Sequence, residues 1–254
     1  MTVYPDVKLN LGLRVLRKRP DGYHDLETLF IPCGACHDEL TVEPLAGGQA
    51  ASIQIENCSW DPQEDLTIKA WRLLKADFPE LPPVHIRLVK NSPVGAGLGG
   101  GSADAAYMLK ALNGMFSLGL SDVRLAEYAS RLGSDCAFFI YDRPMLGTGR
   151  GEILEPFAID LSAYETRVEV PGGVHVSTKE AYEGIIPAVP EIPLREVLLR
   201  PVEEWKEALV NDFEKSIFPK HPEIEALKKK FYADGAVYAA MSGSGSAVFG
   251  IFAR

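Results

Sequence analysis

Pro93-Val94-Gly95-Ala96-Gly97-Leu98-Gly99-Gly100-Gly101-Ser102-Ala103-Asp104-Ala105-Ala106 is the stretch on which the reading of this chain turns. Five glycines fall in the seven positions 95–101, and small helix-forming residues follow at once. Glycine lacks Cβ and reaches positive φ without steric cost, so successive backbone N–H groups can converge on one oxyanion. The pattern predicts a helix from Ser102 to about Gly114, with Ala103, Ala106, Leu109 and Leu112 at helical spacing. Its free N–H groups and the positive end of its dipole aim at the same point. Residues 93–103 are therefore expected to hold the phosphates of a nucleotide.

Gly95, Gly97 and Gly100 also fit G-x-G-x-x-G. A dinucleotide fold would set that pattern in a βαβ unit with an acidic residue ending the next strand. Here residues 117–133 read as a loop and a second helix, which disfavours a nicotinamide-binding oxidoreductase. No G-K-[ST] follows the glycines, so the loop is not of the Walker type.

Upstream of the loop the chain is strand-rich. Alternation predicts strands over Val3–Leu16, Leu26–Pro32, Glu39–Pro44, Ala51–Glu56 and Val84–Val89, with a helix over Glu64–Phe78. Downstream, a helix starts from an N-cap at Ser121 and stops at Gly133. The texture changes around Gly147–Pro156, which divides the chain into expected domains 1–152 and 153–254, the last strand packing back on the first domain. The second part carries a strand at Val168–Val170, a short helix at Thr178–Tyr182 and a proline-marked loop at Pro187, Pro190 and Pro193. A helix follows from Pro222 to Phe231, closed near Gly235, then a glycine turn Met241-Ser242-Gly243-Ser244-Gly245-Ser246 and a strand over Ala247–Phe252. Strands and helices mixed without strict βαβ order predict an α+β fold.

Composition bounds the function. The chain has 254 residues, 46% of them hydrophobic and 24% charged, which is ordinary globular usage. Its net charge of −9 repels phosphate backbones and argues against nucleic acid as a partner. An anionic ligand must then be held by local devices, such as backbone amides and a few placed cations. No apolar run reaches the roughly 20 residues that span a bilayer. The start, Met1-Thr2-Val3-Tyr4-Pro5-Asp6, lacks a basic patch before an apolar stretch, so a cytoplasmic location is expected. Four cysteines occur; Cys33-Gly34-Ala35-Cys36 has CxxC spacing, but with no second pair it reads as reduced structural thiols. The oligomeric state stays open.

Three more features join the loop. Lys8-Leu9-Asn10 lies in the first strand, with Lys8 and Asn10 on one face; such a pair is ordinarily the wet face of a strand. Gly133-Ser134-Asp135-Cys136-Ala137-Phe138-Phe139 puts an acid ahead of an apolar run, as a helix cap or as a reactive carboxylate. The third is the turn at residues 242–246.

Taken together, these stretches resemble the galactokinase, homoserine kinase, mevalonate kinase and phosphomevalonate kinase (GHMP) superfamily. The match runs over most of the chain: Lys8-Leu9-Asn10-Leu11-Gly12-Leu13, Arg19-Pro20-Asp21-Gly22-Tyr23-His24, the glycine loop, Gly149-Arg150-Gly151-Glu152, Asn211-Asp212-Phe213-Glu214 and residues 241–249. The Asp-Gly-Tyr-His stretch resembles the branch whose acceptor alcohol carries cytidine diphosphate. The resemblance implies a two-domain fold, with a nucleotide-binding N-terminal domain like domain 2 of ribosomal protein S5 and a ferredoxin-like C-terminal α/β sandwich. It also implies phosphoryl transfer from ATP, used with Mg²⁺, to the 2-hydroxyl of diphosphocytidyl methylerythritol in non-mevalonate isoprenoid synthesis.

By the same likeness Asp135 faces the attacking hydroxyl and Lys8 is its cationic partner. A carboxylate there orients the alcohol and accepts its proton, and positive charge with fixed donors stabilises the phosphoryl group in flight. Whether Asp135 acts as a base or as an orienting group is left open by the sequence. Tyr23 and Tyr182 match the aromatics that sandwich the cytosine, His24 the group on the base edge, and Asn10 and Thr178 further substrate contacts. Ser102 is implied as a neighbour of Mg²⁺. Family members often carry Asn where this chain has Asp65, and the chain is short for the family, which implies trimmed loops in the C-terminal domain. A GHMP kinase for another alcohol is the nearest rival reading. A non-catalytic sensor on this fold would be expected to lose Lys8 or Asp135, and both are present.

Overall fold

The computed structural model describes residues 1–46, 50–58 and 60–254, and its strands and helices mix as the α+β reading expects. Two compact units divide the chain. One comprises Met1–Val7, Pro32–Val94 and Gly99–Asp142; the other comprises Lys8–Ile31, Gly95–Leu98 and Arg143–Arg254. The chain opens with β1 (Thr2–Val3), followed by two long strands with residues in both units, β2 (Asp6–Lys18) and β3 (His24–His37).

The first unit continues with β4 (Glu39–Pro44), β5 (Ser52–Glu56), α1 (Leu66–Asp77), β6 (Val84–Val89), α2 (Gly100–Met115), α3 (Asp122–Ser130) and α4 (Cys136–Tyr141). Its sheet has the order β1-β4-β6-β5, with β6 antiparallel to β4 and parallel to β5. Val42 and Ile53 both register against Ile86. Along β6 the even residues Val84, Ile86 and Leu88 are buried and the odd ones are half-buried, which leaves one apolar face for the helices. Helix α2 supplies the other side with Ala103, Ala106, Met108, Leu109 and Leu112.

Helix α1 starts two residues later than the apolar spacing alone indicates, because Asp65 caps it. The Asp65 carboxylate accepts from the Thr67 backbone N–H at 2.8 Å and the Thr67 hydroxyl at 2.6 Å, so the helix begins at Leu66. Asn and Asp serve comparably at this position, so an acid fills the cap here. Helix α2 starts two residues earlier than expected: Gly99, at φ +75°, turns the chain, and Ala103 N–H closes the first turn onto Gly99 O at 2.9 Å. Ser121 caps α3, as read from the sequence.

The second unit holds β7 (Met145–Thr148), β8 (Ile153–Pro156), β9 (Tyr164–Glu169), α5 (Thr178–Tyr182), α6 (Leu194–Leu198), α7 (Trp205–Ala208), α8 (Glu214–Ile217), α9 (Pro222–Ala233), β10 (Tyr238–Met241) and β11 (Val248–Ala253). Residues around Gly147–Pro156 form the β7–β8 hairpin of a sheet ordered β2-β3-β7-β8. A second sheet has the order β10-β11-β9, antiparallel throughout. Leu13, Phe213, Ile217, Phe231, Met241 and Val248 belong to one core that joins β2 to α8, α9, β10 and β11. Pro222 opens α9 and Gly235, at φ +97°, follows its end, as expected. Among the described residues no helix is long and apolar enough to cross a membrane.

Candidate active site

Alternation along β2 puts Lys8, Asn10 and Gly12 on one face, and that face is not wet: Lys8 and Asn10 are 3% and 2% exposed. A buried ammonium is costly unless its donors are used. The Lys8 Nζ donates to Asn10 Oδ1 at 2.5 Å and to the Gly97 carbonyl at 2.9 Å, and it lies 5.5 Å from the centre of the Phe30 ring. The Lys8 backbone N–H donates to Leu98 O at 2.9 Å. Lysine, asparagine and the middle of the glycine loop are thus one hydrogen-bonded group.

The loop is also braced by the glycine turn near the C-terminus. The Ser242 hydroxyl donates to Gly97 O at 3.1 Å, and Ala247 N–H donates to Ala96 O at 3.0 Å. Gly97 has φ +80°, and a Cβ there would fall 2.1 Å from the Ser242 carbonyl oxygen. Asn211 holds the turn by donating to Met241 O at 2.7 Å and Gly243 O at 2.8 Å. His175 lies against the start of the loop, where a Cβ on Gly95 would meet its imidazole at 2.9 Å.

In the first unit, residues 99–103 begin α2. Asp135 precedes α4 without capping it: the N-cap position has helical dihedrals and makes no side-chain cap bond. The capping reading of this aspartate therefore fails. The next residue, Cys136, is buried, and burial pushes its thiol up to about 12 although Ser102 on α2 pulls the other way. Gly133 leaves room for the thiol, since a Cβ there would meet Cys136 Sγ at 3.1 Å.

Beneath Gly100 sits a buried ionic group. Lys90 pairs with Asp38 and, at 2.6 Å, with Asp104 of α2. Asp38 also accepts from the N–H groups of Asn91 and Ser92 at 2.6 and 2.7 Å and from the Ser92 hydroxyl at 2.6 Å. A Cβ on Gly100 would strike Ser92 Oγ at 2.3 Å, so the helix start rests on this group. Burial pushes Asp104 up to about 8 although Lys90 pulls the other way. Burial also acts against Asp38, but Lys90 and Ser92 outweigh it and hold that carboxyl below its ordinary value.

The residues expected around a pyrimidine divide. His24 and Tyr182 stack, with ring centres 4.7 Å apart and planes 19° from parallel, and Tyr182 meets Phe213 edge-on at 4.8 Å. Burial, assisted by Lys18, lowers the His24 pKa, so its imidazole is neutral at neutral pH. Tyr23 is exposed, and the Arg150 guanidinium covers its ring at 4.9 Å. Thr178 is the exposed first residue of α5, one turn before Tyr182 on the same face. The CxxC cysteines are free thiols on β3; burial raises Cys33 and pushes Cys36 up to about 11, which makes both poor nucleophiles.

The sequence reading assigned no role to Thr28, Phe30 or His175. The first two lie on β3 at even positions, in phase with Leu26 and His24, and that alternation was the available signal. His175 had none, because only tertiary packing brings it to Gly95.

The family matches define the class, a small-molecule kinase of the GHMP type: residues 65–143 match the model of the GHMP kinases N-terminal domain, and residues 194–254 that of the GHMP kinases C-terminal domain. The chain is 49% identical over 255 aligned residues to 4-diphosphocytidyl-2-C-methyl-D-erythritol kinase of Bacteroides fragilis, covering 99% of this chain and 92% of that protein. It is 46% identical over 253 residues to the enzyme of that name from Cytophaga hutchinsonii, with coverage of 99% and 92%. A crystal structure of 4-(cytidine 5'-diphospho)-2C-methyl-D-erythritol kinase superposes with a TM-score of 0.83 at 33% identity, covering 99% of this chain and 90% of that one. The chain belongs to the 4-diphosphocytidyl-2-C-methyl-D-erythritol kinase family.

Proposed function

We propose that this kinase transfers the γ-phosphoryl group of ATP to the 2-hydroxyl of 4-diphosphocytidyl-2-C-methyl-D-erythritol, giving the 2-phosphate and ADP in the non-mevalonate isoprenoid pathway. The observation that carries the chemistry is the bond from Lys8 to the Gly97 carbonyl, which joins the cation to the phosphate loop. Similarity over nearly the full length to kinases of that name carries the choice of substrate.

In this reading the loop amides and the start of α2 hold the nucleotide phosphates, and Lys8 stabilises the charge of the transferring group. Asp135 orients the attacking hydroxyl and takes its proton. Asn10 and Thr178 hold the erythritol portion, while Tyr182, Tyr23 and His24 hold the cytosine. A neutral imidazole can offer both a donor and an acceptor to the base edge. The Ser102 hydroxyl and the Asp135 carboxylate are oxygen donors of the kind that would hold the Mg²⁺ of a MgATP complex, which would supply positive charge against the phosphates. A cytoplasmic location and a division at residue 152 belong to the same reading.

The test is ADP release from ATP with the cytidylated substrate, for the native protein and for Asp135→Asn. The variant should bind ATP normally and turn over at least ~10²-fold more slowly. Turnover of homoserine or mevalonate in place of the cytidylated alcohol would reject this substrate, and native-like turnover by Asp135→Asn would remove the aspartate from the mechanism.

A further inference from the structure

Thr28 is 1% exposed and lies on β3 beside the strand that carries Lys8 and Asn10. Its hydroxyl has one proton, and that proton is spent on the Gly12 carbonyl at 2.5 Å. Only lone pairs remain for its other neighbour, the Asn10 amide, at 3.0 Å. A lone pair accepts from an –NH₂ group and repels a carbonyl oxygen, so Asn10 must present Nδ2 to Thr28. Its oxygen then faces the opposite way, where the Lys8 ammonium donates to it at 2.5 Å. With the amide turned over, two donors would meet at Lys8 and two acceptors at Thr28, all of them buried.

The far end of this relay is fixed by the backbone. Gly12 has φ +64°, and a Cβ there would strike Leu209 at 2.6 Å and Leu194 at 2.8 Å, so its carbonyl is held in this direction by a residue that only glycine can supply. The order therefore runs from Gly12 O through Thr28 Oγ1 and the Asn10 amide to Lys8 Nζ, and from there to Gly97 O.

We propose that Thr28 is a positioning residue for phosphoryl transfer: by donating to Gly12 it sets the orientation of the Asn10 amide, and that amide with the Gly97 carbonyl aims the Lys8 ammonium. The proposal rests on the role given to Lys8 above. It makes Thr28 matter to kcat without touching either substrate.

A double-mutant cycle tests it. In the native background, Thr28→Val keeps shape but removes the hydroxyl, and kcat should fall about 10- to 100-fold with the KM for ATP unchanged. Thr28→Ser should recover to within about threefold of native. In the Asn10→Asp background the two side-chain oxygens are equivalent and there is no orientation to enforce, so Thr28→Val should cost less than about threefold further. Equal costs in both backgrounds, or a serine variant as slow as valine, would overturn the proposal. If Thr28→Val does not fold, Thr28→Cys keeps the volume with a weaker donor and serves in the same cycle. Native protein inactive on the cytidylated alcohol would count against the proposed function alone. The cycle is then read in urea midpoints, where additive effects of the Thr28 and Asn10 changes would overturn the relay.

Discussion

Lys8 and Ser242 share one acceptor: the Lys8 ammonium and the Ser242 hydroxyl reach the carbonyl oxygen of Gly97 at 2.9 and 3.1 Å. The carbonyl of a flexible residue is thereby held from two sides, by side chains from the N-terminal strand and from the C-terminal turn. In the proposed function, a loop fixed in this way offers its amides in place before phosphate arrives, which lowers the entropic cost of binding.

Gly97→Ala should abolish ATP binding. The added Cβ has no room beside the Ser242 carbonyl, at 2.1 Å, and φ +80° costs any L side chain roughly a further 1–2 kcal/mol. Gly101→Ala is the control for folding alone: no protein atom lies within 4 Å of its Cβ, and its place in the first turn of α2 should make the protein about 0.5–1 kcal/mol more stable. Calorimetric titration with ATP and urea unfolding of the two variants check this. Normal ATP binding by the Gly97→Ala variant would show that the loop can separate from the turn.

The Asp38–Lys90–Asp104 group gives stability a pH dependence with a definite sign. The folded-state pKa of Asp104 is raised to about 8 from an ordinary 3.8, so its contribution is complete below the unfolded value and is lost as pH rises through the folded one. Stability should therefore fall from about pH 4 to about pH 8, by at most ~1.4 kcal/mol per unit for one proton. Asp38 acts in the opposite sense: its depressed pKa contributes above its unfolded value and is lost only in stronger acid. Asp104→Asn should flatten the decline, whereas Lys90→Met leaves two buried carboxyls without a cation and should cost roughly 3–5 kcal/mol. Urea midpoints across this range decide it, and an unchanged slope in the asparagine variant would mean that Asp104 does not titrate there.

Tyr182→Ala should raise the KM for the cytidylated substrate by about tenfold or more and leave the KM for ATP nearly unchanged, because it removes the stacking partner of His24. Since His24 is held below its ordinary pKa, substrate affinity should be flat from neutral pH upward and weaken only in acid. His24→Gln should lose that acid dependence. A Tyr182→Ala enzyme with both constants unchanged would place the base elsewhere.

Much of this was legible in local sequence. The glycine loop announces itself because positive φ and a helix start are written in adjacent residues. Ser121, Pro222 and Gly235 likewise mark helix ends by chemistry that acts within a few residues. Other features were hidden because their causes are distant. Lys8 and Asn10 have the pattern of a wet strand face, and only the arrival of Gly97 and Phe30 makes it a dry one. Helices α6, α7 and α8 have at most five residues, too few to show a period. That residues 8–31 and 95–98 cluster with the C-terminal half depends on tertiary contacts that no window of sequence contains.

The bracing of the loop by residues 242–247 also orders events during synthesis. Gly97 leaves the ribosome 145 residues before Ser242, the residue that holds its carbonyl. A nascent chain that has emerged as far as α9 has displayed every glycine of the motif and none of these braces. The glycine loop is therefore among the last parts of the molecule to be braced, and a message cut short before Ser242 encodes every glycine of the motif in a protein that lacks these braces.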